Sequence, residues 1–374
     1  MSDYRQCVRC VMDTADPGIQ FDASGVCSHC HRYDRLLASR VARGSNRDAE
    51  LHRIVAQIKR AGEGSDYDCI IGVSGGVDST YVAYLVKKLG LRPLAMHLDN
   101  GWNSELAVKN IEEVLKRLQI DLSTHVLDWV EFRELQKSFL RASVPDGEIP
   151  SDHAIFALLW TEAARRGIRY IVSGMNFATE SVSVPEWAYG HSDWRYIRDV
   201  HRRFGGGSLR TYPHFGLGYL MWLNLVKRIK TVSILNYTEY DKPRVMGILE
   251  QELGWRNYGG KHHESVYTRF YQGYVLPRKF GIDKRYGHFS DLINAGLMTR
   301  EKALEELKRP PYPEEQQKQD LEYVTKKLGL GADEFSRIMS SPVRSFRDYK
   351  NNYELVRRLK SAVNRLRGVG LYPR

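Results

Sequence analysis

Apolar and polar positions follow two rhythms along this chain, and each hands over to the other. Cys69, Ile70, Ile71 and Val73 form a short apolar run of the kind a strand buried on both faces needs. Beyond a turn, Tyr81, Val82, Tyr84, Leu85 and Leu89 recur at helical spacing, with Ser79 placed as the cap and Gly90 placed to stop the helix in a left-handed conformation. The pattern then repeats. "RPLAMHLD" predicts a second strand ending at Asp99, and "ELAVKNIEEVLKRLQ" a helix capped by Asn103 or Ser104. "DLSTHVLD" predicts a third strand, "VEFRELQKSFLRA" a helix, "DHAIFALLWTEAARRG" a helix closed by Gly167, and "RYIVSG" a fourth strand. Such alternation implies βαβ units and an α/β fold with a doubly wound, mostly parallel sheet. From about Asp241 the pattern is mainly helical, through "REKALEELKR", "EEQQKQDLEYVTKKLGL" and "NNYELVRRLKSAVNRLR", with Pro310, Pro311 and Pro313 interrupting it.

In such sheets a ligand sits beyond the carboxyl ends of the strands, at the point where strand order reverses. Three strand ends converge there: "SGGVDS", "HLDNGW" and "SGMNFATES". Gly75 and Gly76 fall at a helix N-terminus, where amides and the helix dipole favour an anion and missing β-carbons let it approach. A glycine pair alone would serve equally as a tight strand-to-helix turn. No lysine follows, so the segment is not the nucleotide loop that ends in Gly-Lys-Ser/Thr.

The whole hexamer "SGGVDS" resembles the pyrophosphate loop of the N-type ATP pyrophosphatases, the superfamily of asparagine synthetase, GMP synthetase and tRNA-modifying adenylating enzymes. The resemblance implies cleavage of ATP between the α and β phosphates, adenylation of a carbonyl oxygen and release of pyrophosphate. It implies that Ser74, Gly75, Gly76, Val77 and Ser79 cradle the pyrophosphate, and that Asp78 supports the magnesium ion that neutralises it. His97, Leu98, Asp99 and Asn100 match the positions that hold adenosine, and Gly174 and Asn176 those that approach the nucleotide. Read without the resemblance, Asp99 is a turn-forming acid and Gly174 a loop glycine.

A chain of 374 residues suggests two or three domains. Four of its five cysteines form "CVRC" and "CSHC", Cys7 and Cys10 separated by sixteen residues from Cys27 and Cys30. That spacing predicts a structural zinc ribbon, with an iron-sulfur cluster as the alternative for the same thiolates. The fifth, Cys69, reads as a small buried hydrophobe. The expected organisation is a zinc ribbon over 1–40, a pyrophosphatase domain over 41–240 and a helical region over 241–374. No apolar run reaches membrane-spanning length and no secretory signal opens the chain, so a cytoplasmic protein without a membrane partner is expected. The balance of 56 Lys plus Arg against 45 Asp plus Glu, a net charge of +11, suits an anionic partner, whether RNA, a sugar nucleotide or an acidic protein.

Longer stretches narrow the choice. "CVRCVMDTADPGIQFDASGVCSHC", "SGGVDS", "DHAIFALLW", "SGMNFATES" and "YGGKHHESVYTRFYQGYVLPRKFGIDKR" together resemble the bacterial N-acetyl sugar amidotransferase family. The resemblance implies an ATP-dependent conversion of a sugar N-acetyl group to an acetamidino group for O-antigen and related surface glycans. Its substrate is expected to be an N-acetylated sugar nucleotide, and ammonia is expected from a two-part glutaminase and synthase pair. No cysteine is left over to serve as a glutaminase nucleophile, and no nucleic-acid partner is expected. Lys261 is the candidate to offset phosphate charge during adenylation, and Arg269 and Lys279 are candidate contacts for sugar-nucleotide phosphates. His262, His263 and Glu264 are a weaker candidate for metal binding, because adjacent histidines rarely point one way. The aromatic and glycine-rich insert within 180–215 suits either a mobile lid or a surface excursion. The competing function is sulfur insertion into a tRNA base, which persulfide chemistry would route through an accessible thiol near the adenylate.

Overall fold

The computed structural model describes residues 4–41, 46–257 and 264–368. Its centre is a sheet of β1 (Cys69–Gly72), β2 (Pro93–Asp99), β3 (Asp121–Val126), β4 (Tyr170–Ser173) and β5 (Lys230–Ser233). The order is β3-β2-β1-β4-β5 and every pairing is parallel. Ile71 of β1 pairs with Ala95 on one side and Val172 on the other, so strand order reverses at β1. β5 is a correction to the sequence reading, which contains four strands. It is short and its "KTVS" carries too little apolar signal to stand out, as edge strands often do.

Helices close both faces of the sheet. After α1 (Ser28–Arg40), α2 (Asn46–Ala61) places Leu51, Ile54, Val55 and Ile58 beneath Cys69 and Ile71, while Ile70 points to the opposite cluster with Leu158 and Ile171. This alternation is the strand period of two. α3 (Val77–Lys88) and α4 (Glu105–Leu118) follow β1 and β2, and α5 (Trp129–Ala142) and α6 (Ile149–Arg166) follow β3. Ser104 caps α4 by accepting from the Ala107 amide, and Gly90 and Gly167 adopt φ of +70° and +71° beyond α3 and α6, as their spacing predicts. Ser79 is not the cap of α3. The helix begins at Val77 after Gly76, which leaves the Ser79 hydroxyl inside the first turn.

The 180–215 insert is more than a surface excursion, because part of it is packed into the core. It folds into α7 (Trp194–Phe204), whose Tyr196, Ile197 and Val200 are fully buried against α5. Next come α8 (Leu217–Leu225), α9 (Lys242–Leu253), and α10 (Val266–Phe270), which runs into a π-helical stretch over Tyr271–Phe280. The chain ends in α11 (Arg285–Asn294), α12 (Arg300–Leu307), α13 (Glu314–Leu328), α14 (Ala332–Ser340) and α15 (Tyr353–Gly368). One buried cluster runs from Cys7 through Ile70 and Leu158 to Phe335 and Tyr349, so ribbon, sheet and helical region share a core.

Candidate active site at the carboxyl edge of the sheet

The turn from β1 into α3 carries the glycine pair. Gly75 has φ of +79°, and a β-carbon there would lie 2.5 Å from the Ala107 carbonyl oxygen, so only glycine lets the loop pass under α4. Ser74 and Ser79 brace the turn from both ends. The Ser74 amide donates to Ser79 Oγ (3.2 Å), Ser79 Oγ donates to the Gly76 carbonyl (3.2 Å), and the Gly76 amide donates to Ser74 Oγ (3.3 Å). These bonds aim the backbone of the first helical turn, the part of a helix that favours an anion.

The other strand ends close on this loop. Gly174, at the end of β4, approaches so tightly that a β-carbon would lie 3.2 Å from the Asp78 carbonyl carbon. The buried His97 ring contacts the Val73 carbonyl through Nδ1 (2.9 Å), which makes Nδ1 the donor and turns Nε2 toward the Asn103 amide nitrogen at 3.2 Å. Leu98 is buried beside it in β2. Asp99 Oδ1 accepts from the Gly101 amide (2.8 Å), and Asn100 Oδ1 accepts from Trp102 (3.1 Å), so both side chains shape the turn after β2. Asn176 does the same after β4, its Oδ1 accepting from Ala178 at 3.0 Å. Thus the sequence-based candidates Ser74, Gly75, Gly76, Val77, Asp78, Ser79, Asp99 and Gly174 lie on adjoining strand ends at the reversal point.

Two partners of the loop were invisible in the sequence. The Tyr240 hydroxyl donates to Asp78 Oδ1, and Trp255 Nε1 donates to the Gly75 carbonyl at 2.9 Å. Both lie more than a hundred and fifty residues downstream, on segments with no motif, and only folding brings them here. A carboxylate held in this way, beside a helix N-terminus, suits a hard divalent cation such as magnesium.

Lys261, His262 and His263 lie outside the described residues. Their flanks are anchored: Asn110 exchanges hydrogen bonds with the Arg256 backbone (2.9 and 3.0 Å), and the Ser104 amide donates to the Glu264 carbonyl (2.8 Å). The two remaining cations belong elsewhere. Arg269 makes a two-point ion pair with Asp320 (2.8 and 2.7 Å). Lys279 donates to the Ile338 carbonyl and to the Ser341 carbonyl and hydroxyl at the end of α14, which uses all three of its hydrogens in a helix-capping role. Burial pushes its pKa down. As a phosphate contact Lys279 is therefore corrected, because its donors are committed to carbonyl groups.

Cys7, Cys10, Cys27 and Cys30 form a second, separate centre. All are buried, and their sulfurs lie within 4.8 Å of one another. Separations of 4.0, 3.6 and 3.7 Å for three of the pairs match the roughly 3.8 Å edge of a tetrahedron with zinc-sulfur bonds of about 2.3 Å. Amides of Cys10 and Cys27 donate to Cys7 Sγ (3.4 and 3.3 Å), which supports thiolate charge. Hydrogen bonding with Cys10 pulls the Cys7 and Cys27 thiols down, Cys27 to about 7. The donor set fits zinc held structurally, all four positions being protein ligands. By contrast Cys69 is fully buried in β1, where burial pushes its thiol well up.

Two protein families match this chain. Residues 68–178 match "Queuosine biosynthesis protein QueC", and residues 264–360 match "LPS biosynthesis protein WbpG-like, C-terminal domain". An uncharacterised protein of Methanocaldococcus jannaschii is 25% identical over 275 residues, which cover 71% of this chain and 80% of the relative. A solved structure described as a predicted subunit of tRNA methyltransferase from the same organism aligns at a TM-score of 0.29 with 18% identity, covering 48% of this chain and 72% of its own. An NH3-dependent NAD synthetase from Campylobacter jejuni aligns at 0.30 with 14% identity, covering 55% and 84%.

Proposed function

We propose that this chain, which matches a PP-loop family over residues 68–178 and a WbpG-like family over 264–360, is an ATP-using amidotransferase converting the N-acetyl group of a sugar nucleotide to an acetamidino group for O-antigen or a related surface glycan. The observation that carries this reading is one core shared by the sheet, whose reversal point carries a pyrophosphate-type loop, and a C-terminal region matching a lipopolysaccharide biosynthesis family.

The chemistry follows from the poor electrophilicity of an amide. Its carbonyl oxygen attacks the α-phosphorus of ATP, the bond to the β-phosphate breaks, and pyrophosphate leaves with that electron pair. Ammonia then adds to the activated imidate carbon, the carbon-oxygen bond breaks so that AMP carries the oxygen away, and loss of a proton leaves the amidine. In this reading the amides around Gly75, Gly76 and Val77 and the Ser74 and Ser79 hydroxyls hold the pyrophosphate, and Asp78 would hold a magnesium ion that offsets its charge. His97, Leu98, Asp99 and Gly174 line the adenosine side, and Lys261 offsets phosphate charge. Ammonia arrives from a separate glutaminase and synthase pair, since the buried thiols provide no nucleophile for glutamine.

The test incubates the protein with ATP, magnesium, ammonium and N-acetylated sugar nucleotides. We expect AMP and pyrophosphate in step with a product whose mass falls by the difference between oxygen and NH. Asp78→Asn should slow pyrophosphate release roughly a hundredfold. Cys69→Ser and treatment with RNase should leave product formation intact. ADP and phosphate in step with product would refute the reaction class, and a requirement for RNA or for the Cys69 thiol would move the reading to tRNA thiolation.

A further inference from the structure

Away from the pyrophosphate loop and the cysteine cluster lies a cavity of about 380 Å³, within the range of about 300–1,000 Å³ typical of small-molecule sites. Residues 179–188 form one wall, and the opening turn of the π-helical stretch, the start of α11 and the Pro311-Tyr312 turn form the others. We propose that this cavity binds the sugar ring of the substrate, an uncharged, hydroxyl-rich N-acetylated hexose, and leaves its nucleotide carrier outside. The proposal rests on the amidotransferase reading and names where that reaction's acceptor sits.

A short length of chain joining the nucleotide crevice to the cavity wall is the first support. Gly174 packs on Asp78, and the same loop reaches the cavity wall at Thr179 and Glu180. Six residues of chain span at most about 20 Å, and two hydrogen bonds shorten this path: the Asn176 amide to Glu180 Oε2 (3.4 Å) and the Thr179 amide to the Asn176 carbonyl (3.3 Å). The wall beyond is held rigid, because buried Asp291 accepts from the Ser181 amide and hydroxyl and from the Val182 amide. Fixed walls reduce the ordering cost of binding.

Charge pairing selects the class of ligand. Arg269 faces Asp320 (2.7 Å), Lys284 faces Glu148 (2.9 Å) and Arg285 faces Asp283 (2.7 Å). Each of these lining cations is already paired with a carboxylate of the protein, so a phosphate entering the cavity would compete with that carboxylate for it. Sugar hydroxyls face no such competition, since each donates and accepts and the paired groups offer both kinds of atom at fixed positions. Buried Trp187, with Val184 beside it, supplies the apolar surface against which the C–H face of a pyranose packs. The cavity also borders the π-helical stretch at Gln272 and Gly273, and such helix widening concentrates at functional sites.

Ser183 and Ala188 line the cavity and are exposed, so Ser183→Trp and Ala188→Trp narrow it without disturbing the core. Saturation-transfer NMR on the full chain with UDP-N-acetylglucosamine, N-acetylglucosamine and UDP reads the contact directly. Strongest saturation is expected on the acetyl methyl and ring protons rather than on the uridine. Both variants should weaken sugar-nucleotide binding about tenfold or more and leave ATP binding, followed by thermal shift, unchanged. Equal binding by wild type and both variants, or saturation confined to uridine, overturns the cavity assignment alone. Should the wild type bind no N-acetylated sugar nucleotide while still splitting ATP, the functional reading fails and the ligand falls with it.

Discussion

Gly75 is the residue on which the pyrophosphate loop turns. At φ +79°, with Ala107 O only 2.5 Å from a β-carbon, alanine there meets both backbone strain and a clash with backbone that cannot move aside. Gly167→Ala is the matched control, since its φ of +71° is similar but nothing lies within 4 Å. Thermal denaturation should show Gly75→Ala less stable than Gly167→Ala by about 1–3 kcal/mol, with pyrophosphate release lost only in the former; equal effects would mean the close approach is not real. His153 tests a second residue-level argument. Its ring lies buried among Trp194, Tyr212 and Phe215, Nδ1 donates to the His191 carbonyl (2.8 Å), and Nε2 has no partner among the described residues. Burial lowers its pKa from 6.5 to about 4. Between those values the unfolded chain binds a proton that the folded one refuses, so stability is full above pH 6.5 and falls as pH drops toward 4. The loss can reach about 3 kcal/mol, at about 1.4 kcal/mol per pKa unit. His153→Phe keeps an aromatic ring in the stack and removes the titration, so the stability of the wild type relative to the variant should fall by that order between pH 7 and pH 4. A constant gap would show that His153 does not stay neutral.

At the scale of the element, α7 is the part of the molecule whose sequence misleads. "EWAYGHSDWRYIRDVHRRFGGGS" is rich in glycine and charge, the composition of a mobile loop. Yet Tyr196, Ile197 and Val200 fall on one helical face and are fully buried, and Asp193 caps the helix by accepting from the Arg195 and Tyr196 amides (3.1 and 3.3 Å). Tyr196 also donates to buried Asp146 at 2.7 Å. Burial of three large side chains and a satisfied cap make local opening costly. Hydrogen exchange should therefore protect the α7 amides to about the same degree as those of α5, with no change on adding ATP. Fast exchange in α7, or protection that appears only with nucleotide, would restore the lid.

The cysteine ribbon ties the whole molecule together rather than forming a satellite. Arg300 of α12 donates to the carbonyls of Cys7 (3.1 Å) and Cys10 (3.0 Å), and the Val11 amide donates to Ser290 Oγ of α11 at 3.2 Å. The four sulfurs share a buried cluster with residues of the sheet and the C-terminal helices. A metal bound here would stabilise the fold that presents the thiolates, and its removal would leave them crowded and buried. Purified protein should hold stoichiometric zinc by elemental analysis. Chelation, or Cys10→Ser, should lower the melting temperature and speed exchange in α11 and α12 before it affects β1 and β2. A zinc-free protein with unchanged melting would refute the centre.

Local chemistry determined much of this protein before any contact was known. Unbroken apolar runs at Cys69–Ile71 and period-3.6 helices capped by Ser104 and closed by Gly90 and Gly167 specify a parallel sheet, because each is a short-range consequence of burial or backbone freedom. The clustering of the four cysteines and the glycine turn of "SGGVDS" were legible for the same reason: each is announced by residues spaced closely along a short segment. What lay beyond the sequence depends on distant partners. The edge strand β5 is defined only by pairing with β4, α7 by the apolar surface of α5, and the setting of Asp78 by Tyr240. Lys279 reads from sequence as a cation available for phosphate, and only the proximity of the Ile338 and Ser341 carbonyls makes it a cap. A side chain's charge is local, but whether that charge is available for a ligand depends on what the fold places within hydrogen-bond reach of it.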